Sequence, residues 1–205
     1  MKLRIALAQV NPTVGDLAAN AALVRENFKS AQEAGAHIVV FPEMVLTGYP
    51  VEDLALRPSF QIASQNALAE LAKSLTGKSV AIVGYLDQVD GAPQNMVAVI
   101  SDGVVSARYA KCHLPNYGVF DEFRNFVPGD KTLVVRIHGV DVGIAICEDL
   151  WIDGGITSQL AARKPGLVIV PNGSPYERNK DDVRLALVSK RARQAGAPLV
   201  YVNMT

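Results

Sequence analysis

Three side chains in this sequence could together attack a carbonyl group: the thiol of Cys147, the carboxyl of Glu43 and the amine of Lys111. Thiolate attack needs a base that takes the thiol proton and a cation that stabilises the developing oxyanion. A carboxylate and an ammonium can supply these two roles. The three residues come from distant stretches, but each follows a predicted strand, so the fold could gather them at one sheet edge. We therefore expect a thiol-based site that acts on a carbonyl compound.

Each of these residues also has a structural explanation. A lone cysteine is more often a small, inert core residue than a nucleophile, and a single Glu or Lys is more often a solvated surface charge. The segment before Cys147, residues 140–146, is a run of small and β-branched residues typical of a buried strand. Three reactive types at three strand ends favour the catalytic interpretation, and the structural one stays open.

Two other arrangements of the reactive groups are considered. Histidine is the usual partner of a catalytic cysteine, and His113 keeps such a pair open, whereas His37 begins a strand and His138 lies in a turn. Cys112, His113 and Cys147 could instead form a metal or redox site. They lack the paired spacing of zinc ligands, so no metal is predicted.

Alternating and helical hydrophobic patterns predict an α/β protein. Strands are predicted at residues 3–10, 36–41, 78–86, 95–100, 104–109, 132–137, 140–146, 167–170 and 199–203. Helices are predicted at residues 17–34, roughly 59–74, from the Gly-rich residues 153–155 to about 163, and 181–195. Asp102-Gly103 and His138-Gly139 mark two hairpin turns, while residues 91–93 are predicted to form a loop. These hairpins argue against a purely parallel sheet and indicate two α/β halves. On the solvent-facing side of the last helix we expect Arg184, Lys190, Arg191 and Arg193.

Composition argues against several classes of partner. Lys plus Arg and Asp plus Glu number 20 each, so the formal net charge is zero and neither a nucleic acid nor a polybasic membrane interaction is indicated. Apolar runs are short and interrupted, so no signal peptide or membrane span is predicted. Only two cysteines occur, which argues against a disulfide framework and makes the reducing cytoplasm the expected location.

Three segments resemble the carbon-nitrogen hydrolase (nitrilase) superfamily: residues 41–50 (FPEMVLTGYP), 111–122 (KCHLPNYGVFDE) and 147–151 (CEDLW). Within that superfamily, residues 50–54 (PVEDL), the run LPNYGVFDE and residues 172–176 (NGSPY) resemble the glutaminase domain of glutamine-dependent NAD synthetase. The resemblance covers essentially the whole chain. It implies a nitrilase-like α-β-β-α sandwich of two mixed sheets flanked by helices.

The resemblance also implies catalytic roles. Cys147 matches the nucleophile, Glu43 the general base and Lys111 the cation that holds the oxyanion. The backbone N–H of Glu148 would complete the oxyanion hole. Glu122 matches a second acid that orients Lys111 and the base.

The same resemblance implies a set of substrate-binding residues. The positions that match the lining of a glutamine pocket are Tyr117, Glu148, Trp151 and Ser174. Glu148 could pair with the substrate α-ammonium, and Ser174 could donate or accept a hydrogen bond. Arg178 is a further candidate partner for the α-carboxylate. For Trp151, core packing is an equally good explanation.

The activity implied by the resemblance is hydrolysis of the glutamine side-chain amide through a glutamyl thioester, which releases ammonia for the ATP-dependent amidation of deamido-NAD. The glutaminase reaction itself needs no cofactor. ATP and Mg²⁺ are implied only for a synthetase domain, and residues 1–205 contain no Gly-rich ATP-binding loop. Because the chain stops inside a predicted β-run, we expect residues 1–205 to be one carbon-nitrogen hydrolase domain truncated at its C-terminus.

The resemblance implies partners as well. They are the small molecule L-glutamine, a synthetase domain downstream in the native chain, and further copies of the chain in a homo-oligomer. An amidase or carbamoylase of the same superfamily that acts on another small amide is the alternative. Tyr117, Glu148 and Ser174 favour an amino-acid substrate, and the alternative stays open.

Overall fold

The first of two β-sheets contains the N-terminal half of the chain. The structure is a computed structural model that describes residues 2–175 and 180–205. The strands, in the spatial order β1-β2-β3-β4-β5, are β1 Ile5–Leu7, β2 Ile38–Val40, β3 Val80–Val89, β4 Ala92–Ser101 and β5 Val104–Ala110. β1, β2 and β3 run parallel, whereas β3, β4 and β5 pair antiparallel. The sheet is therefore mixed.

The second sheet is built from the C-terminal half. Its strands, in the spatial order β6-β7-β8-β9, are β6 Leu133–Ile137, β7 Val140–Ile144, β8 Leu167–Pro171 and β9 Leu199–Val202. β6 and β7 form an antiparallel hairpin, and β7, β8 and β9 run parallel. Both hairpin turns predicted from the sequence are confirmed, at Asp102-Gly103 and at His138-Gly139.

Helices cover the outer face of each sheet. The helices that do so are α1 Leu17–Glu33, α2 Pro58–Ser74, α4 Ile156–Ala162 and α5 Lys180–Ala195, and a separate short helix, α3 Glu122–Asn125, precedes β6. Val39 of β2 faces out and packs with Val24 and Phe28 of α1. Its neighbours Ile38 and Val40 face in and pack with residues of the second sheet. Because strand side chains alternate between faces, a fully buried strand such as β2 must be covered on both sides. Here α1 covers one side and the second sheet covers the other. The predicted α-β-β-α sandwich is therefore confirmed.

One predicted loop is instead part of a third hairpin. Val89 pairs with Ala92, so residues 92 and 93 belong to β4 and the turn is only Asp90-Gly91. Both turn residues have positive φ, 52° and 81°, as the two-residue hairpin turn requires. Pro93 argued for a loop in the sequence. It is tolerated because β5 pairs with β4 only from Met96 onward, so the missing N–H breaks no bond on that side.

The prediction that Arg191 faces solvent is wrong. Only 1% of this residue is exposed, and its guanidinium donates hydrogen bonds to the carbonyl oxygens of Leu150 at 2.5 Å and Trp151 at 3.0 Å. Arg184, seven residues earlier on the same helical face, is half-buried, whereas Lys190 and Arg193 are exposed. A buried arginine is stable here because its donors meet carbonyls that would otherwise lack partners.

Among the described residues, no helix combines the length and the apolar character needed to cross a bilayer.

Candidate active site

Glu43 lies just beyond the end of β2, in a tight segment that crosses β3. Met44, the next residue, has a positive φ of 49°, and the Glu43 backbone N–H donates to the Asn172 carbonyl at 3.3 Å. The crossing is possible because β3 has a glycine there. A Cβ on Gly84 would lie 2.2 Å from the Met44 nitrogen and 2.6 Å from the Pro42 oxygen. Gly84 thus lets the carboxylate approach the centre of the sheets.

Lys111 directly follows β5, and backbone hydrogen bonds hold it on both sides. Its N–H donates to the Asn95 carbonyl at 2.9 Å, and its carbonyl accepts from the Gly129 N–H at 2.8 Å. Glycine is required at 129 because a Cβ there would lie 2.5 Å from the Ala110 oxygen. The ammonium is thereby directed inward, and only 1% of the residue is exposed.

Cys147 begins a short 3₁₀ helix, Cys147–Leu150, three residues after β7 ends. The strand was predicted to reach residue 146, whereas β7 ends at Ile144. The thiol lies beyond the carboxyl end of this strand, as expected, but it is carried by a helical turn. Its φ of 42° is in the left-handed region, where a residue with a side chain is strained by about 1–3 kcal/mol. Such strain persists only where surrounding contacts hold the backbone in place.

Asp149 provides those contacts, and the sequence interpretation did not assign it a role. Its carboxylate is fully buried. Oδ2 accepts hydrogen bonds from the Ile146 N–H at 3.0 Å and the Tyr109 hydroxyl at 2.7 Å. Oδ1 accepts from the N–H groups of Cys112 at 3.1 Å and His113 at 2.8 Å. One carboxylate therefore ties the turn of the thiol to the segment that follows Lys111.

The ammonium of Lys111 lies between two buried carboxylates. Nζ is 2.7 Å from Oε1 of Glu43 and 2.9 Å from the Glu122 carboxylate, and the Tyr49 hydroxyl donates to Glu122 at 2.8 Å. Burial lowers the pKa of Lys111, but the facing Glu43, Cys147 and Glu122 groups outweigh burial, so the net shift is upward. Burial raises the pKa of Glu122 to about 7 against the opposing effect of Lys111. Lys111 is thus a permanent cation.

The Cys147 thiol lies against Ser174 and Gly173. Sγ is 3.8 Å from the Ser174 hydroxyl oxygen, and the nearby Gly173 backbone acts to lower the pKa of the thiol. Burial, followed by the charge of Glu43, raises the pKa of Cys147 well above its ordinary value. The resting thiol is therefore neutral, and it needs a base at the moment of reaction.

The predicted substrate-binding residues are brought together only in part. The Tyr117 hydroxyl donates to Oε2 of Glu148 at 2.9 Å, and Ser174 contacts the thiol. Trp151 is half-buried and packs against the central hydrophobic core, which agrees with its structural explanation. Tyr176 and Arg178 lie outside the described residues.

Two asparagines that the sequence interpretation missed hold Ser174. Asn203 donates to the Ser174 carbonyl at 2.9 Å and accepts from Asn172 at 2.8 Å. The Ser174 hydroxyl in turn lies 3.3 Å from Oδ1 of Asn172. Asn172 was visible only as part of the NGSPY string, and nothing in its spacing linked it to Asn203.

A cavity of about 630 Å³ opens next to Ser174. It is lined by Tyr49, Pro50, Val119, Phe120, Gly173, Ser174, Pro175, Arg184, Asn203, Met204 and Thr205. Tyr49, Gly173 and Ser174 belong to both the cavity and the surroundings of the reactive groups. A small organic molecule in this cavity would contact Ser174, whose hydroxyl oxygen lies 3.8 Å from the thiol.

His113 does not pair with the Cys147 thiol. Its Nδ1 lies 3.0 Å from Oδ1 of Asp149. Cys112 is half-buried, and burial raises the pKa of its thiol. Over residues 2–175 and 180–205, no group of three or more His, Cys, Asp or Glu side chains is arranged to hold a metal ion.

Comparisons with known proteins give one family. The carbon-nitrogen hydrolase model matches residues 4–205. The glutamine-dependent NAD(+) synthetase of Xylella fastidiosa (strain Temecula1) is 43% identical over 205 residues, in an alignment that covers 98% of this chain and 37% of the relative. The synthetase of the same description from Rhodobacter capsulatus is 42% identical over 205 residues, covering 99% and 37%. The chain thus spans little more than a third of these relatives.

Solved structures give the same fold. A glutamine-dependent NAD+ synthetase from Acinetobacter baumannii, in complex with ADP, has a TM-score of 0.94 at 37% identity, covering 99% of this chain and 38% of that one. An amidase from Nesterenkonia sp. has a TM-score of 0.84 at 25% identity, covering 98% of this chain and 76% of that one.

Proposed function

The chain belongs to the carbon-nitrogen hydrolase family, and on that premise we propose that it hydrolyses the side-chain amide of L-glutamine and releases ammonia. One observation carries the proposal. A buried Lys111 ammonium lies within 2.9 Å of two buried carboxylates, Glu43 and Glu122, and these same charges act on the buried thiol of Cys147. Burying such a cluster is costly, which is why a purely structural role accounts poorly for it.

The first half of the reaction forms a thioester. Sγ of Cys147 attacks the amide carbon, and its proton passes to the Glu43 carboxylate. The developing oxyanion is held by Lys111 and by the backbone N–H of Glu148. An ammonium has three N–H donors, of which Lys111 uses two on Glu43 and Glu122, so one donor is available for the oxyanion. Collapse of the tetrahedral adduct breaks the C–N bond as Glu43 returns the proton to the departing ammonia.

The second half releases glutamate. Glu43, again ionised, takes a proton from a water molecule, whose oxygen attacks the thioester carbon. The C–S bond breaks, and Glu43 returns the proton to the sulfur of Cys147. The neutral resting thiol then reforms, as its raised pKa requires. Stabilising the two oxyanions is the main electrostatic contribution, so the position of Lys111 matters in both halves.

Selection of glutamine is assigned to Glu148, Tyr117 and Ser174. Glu148 is 6% exposed, and among the described residues its carboxylate accepts a side-chain hydrogen bond only from Tyr117, so an α-ammonium can add a charge-assisted partner. Ser174 lies close enough to the thiol to contact the bound amide. The names of the synthetase relatives support glutamine as the amide.

In the longer protein, we propose that a downstream synthetase domain uses the ammonia to amidate deamido-NAD. That step would need ATP and Mg²⁺, whereas the glutaminase steps above use only side chains of this chain. The support is that relatives named glutamine-dependent NAD(+) synthetase extend well beyond the matched part. A homo-oligomer and a cytoplasmic location stay predictions.

Ammonia release from L-glutamine tests the proposal. Cys147→Ala should abolish release, and Cys112→Ala should retain it, because the second thiol lies outside the charge cluster. A glutamyl thioester trapped on Cys147 after acid quench would identify the intermediate. Turnover of propionamide or other simple amides with no turnover of glutamine would refute glutamine and favour the amidase alternative, for which the Nesterenkonia structure provides the likeness.

A further inference from the structure

The two oxygens of Glu43 have very different surroundings. Oε1 accepts two hydrogen bonds of 2.7 Å, one from Nζ of Lys111 and one from the side-chain amide of Asn95. Oε2 is buried and has no hydrogen-bond partner among the described residues. One oxygen is therefore held by two donors, and the other is left free.

The free oxygen faces the thiol side of the site. A Cβ built on Gly173 would lie 3.1 Å from Oε2 of Glu43, and the hydroxyl oxygen of the next residue, Ser174, lies 3.8 Å from Sγ of Cys147. Oε2 and Sγ thus lie against neighbouring residues of one segment. Oε1 is turned toward β4, where Asn95 is 1% exposed.

The orientation of the Asn95 amide follows from charge. Its N–H group must face Glu43, because turning the amide over would place two unprotonated oxygens together in a buried site. An N–H donor stabilises a carboxylate and not a protonated oxygen. Asn95 also accepts the backbone N–H of Lys111 at 2.9 Å through its own carbonyl, so it sets the position of both donors to Oε1.

We propose that Asn95 is a positioning residue that, together with Lys111, reserves Oε1 as the held oxygen of Glu43 and makes Oε2 the oxygen that carries the proton. This inference rests on the proposed role of Glu43 as general base. With Oε1 occupied, the thiol proton can be taken only on the side that faces the substrate. The same proton is then in place for the departing ammonia, without rotation of the carboxyl group.

The variants Asn95→Leu and Asn95→Asp test this role. Both variants leave unchanged the other titratable groups that interact electrostatically with Glu43. These groups are Lys111, Glu122, Cys147, Tyr49, Glu148 and Tyr201. For Asn95→Leu, kcat for glutamine should fall about 10- to 100-fold with KM near wild type, since a charge-assisted bond is lost. The acidic limb of its pH profile should move up by about one unit.

Asn95→Asp should show the opposite pH dependence. At low pH the introduced carboxyl is protonated and can donate to Oε1, which restores the missing bond. As pH rises it ionises and repels Glu43. Activity relative to wild type should therefore fall with rising pH in this variant and rise with pH in Asn95→Leu.

A second readout does not depend on the substrate. The rate at which iodoacetamide alkylates Cys147 can be followed by mass spectrometry of the peptide that contains it. The pH profile of this rate should shift to higher pH in Asn95→Leu. If the wild-type protein does not hydrolyse glutamine but the alkylation profile of Asn95→Leu is shifted relative to wild type, the proposed function fails and the inference holds. If glutamine is hydrolysed and neither profile changes in either variant, the inference fails alone.

Gln61→Leu is the matched control. Gln61 is also a buried amide, 3% exposed, and donates a 2.7 Å bond to the Ala55 carbonyl away from the site. The Gln61→Leu variant should have a lower melting temperature, but its pH profiles for glutamine hydrolysis and for alkylation should match those of the wild type. If Asn95→Leu behaves in the same way as this control, Asn95 is only structural and the proposal is overturned.

Discussion

Nζ of Lys111 lies 2.7 Å from Oε1 of Glu43, and neither side chain has any exposed surface. A buried pair of this kind gains little net stability, but removing one partner leaves an uncompensated charge in the interior. Glu122 makes the imbalance larger, because its carboxyl lies 2.9 Å from the same ammonium. The cluster should therefore be sensitive both to the loss of Lys111 and to pH.

Lys111→Met should abolish glutamine hydrolysis and lower the free energy of unfolding by about 3–5 kcal/mol at pH 8, since two carboxylates then face each other without a cation. The loss should be smaller at pH 5, where protonation relieves the repulsion. Urea denaturation at both pH values measures this. Lys73→Met, on an exposed side chain, is the control. Equal destabilisation of Lys111→Met at both pH values would contradict the electrostatic explanation.

Glu122→Gln should change how stability depends on pH. The pKa of Glu122 in the folded protein, about 7, lies above the unfolded value near 4.5. Its contribution is therefore complete below about pH 4.5 and is lost as pH rises through about 7. Between pH 5 and 8, wild type should lose on the order of 2 kcal/mol relative to the variant. Parallel stability curves for the two proteins would show that Glu122 does not titrate in this range.

Asp149→Asn should destabilise the protein by about 1–3 kcal/mol for each buried donor left without an acceptor. An amide has one acceptor oxygen, so it cannot serve the Ile146 and Tyr109 donors and the Cys112 and His113 donors together. Activity should fall as well, because the turn of Cys147 is no longer tied to the Lys111 segment. Asp141→Asn, in an exposed ion pair, should change neither property. Wild-type activity in Asp149→Asn would show that this link is not needed.

Arg191→Met and Arg193→Met form a matched pair on one helix. Arg191 is buried against the carbonyls that end the Cys147–Leu150 helix, whereas Arg193 is exposed. Only Arg191→Met should unfold at a lower urea concentration. Its free energy of unfolding should fall by about 1–3 kcal/mol for each carbonyl that loses its donor. Hydrolysis should slow in parallel. Similar stabilities for both variants would mean that Arg191 does not support the nucleophile turn.

Glu148→Gln should raise KM for glutamine about 10- to 100-fold, the loss expected for one charge-assisted contact. A glutamine analogue without the α-amino group should show a similar loss with wild type and little further loss with the variant. Steady-state kinetics with both substrates measures the coupling. Glu70→Gln, on an exposed helix surface, is the control. If the losses caused by the variant and by the analogue add up, the substrate α-ammonium does not bind at Glu148.

Much of the fold was predictable because hydrophobic alternation depends on neighbouring residues. The buried strand at residues 38–40, the helix from Leu17 and the Asp102-Gly103 turn all follow from local spacing. Pro93 shows where this fails: its chemistry suggested a loop, but the lack of a β5 neighbour at that point allows a strand. Family membership was also predictable from short strings around Glu43, Lys111 and Cys147.

The sequence by itself determined which reactive groups exist and that each follows a strand. Only the tertiary structure decided which atoms meet. Asp149 and His113 are 36 residues apart, Asn95 and Glu43 are 52 apart, and Arg191 and Leu150 are 41 apart. Contacts over such separations depend on how two sheets pack and where glycines such as Gly84 allow close approach. No local periodicity encodes that geometry, so the choice between the two oxygens of Glu43 became visible only in three dimensions.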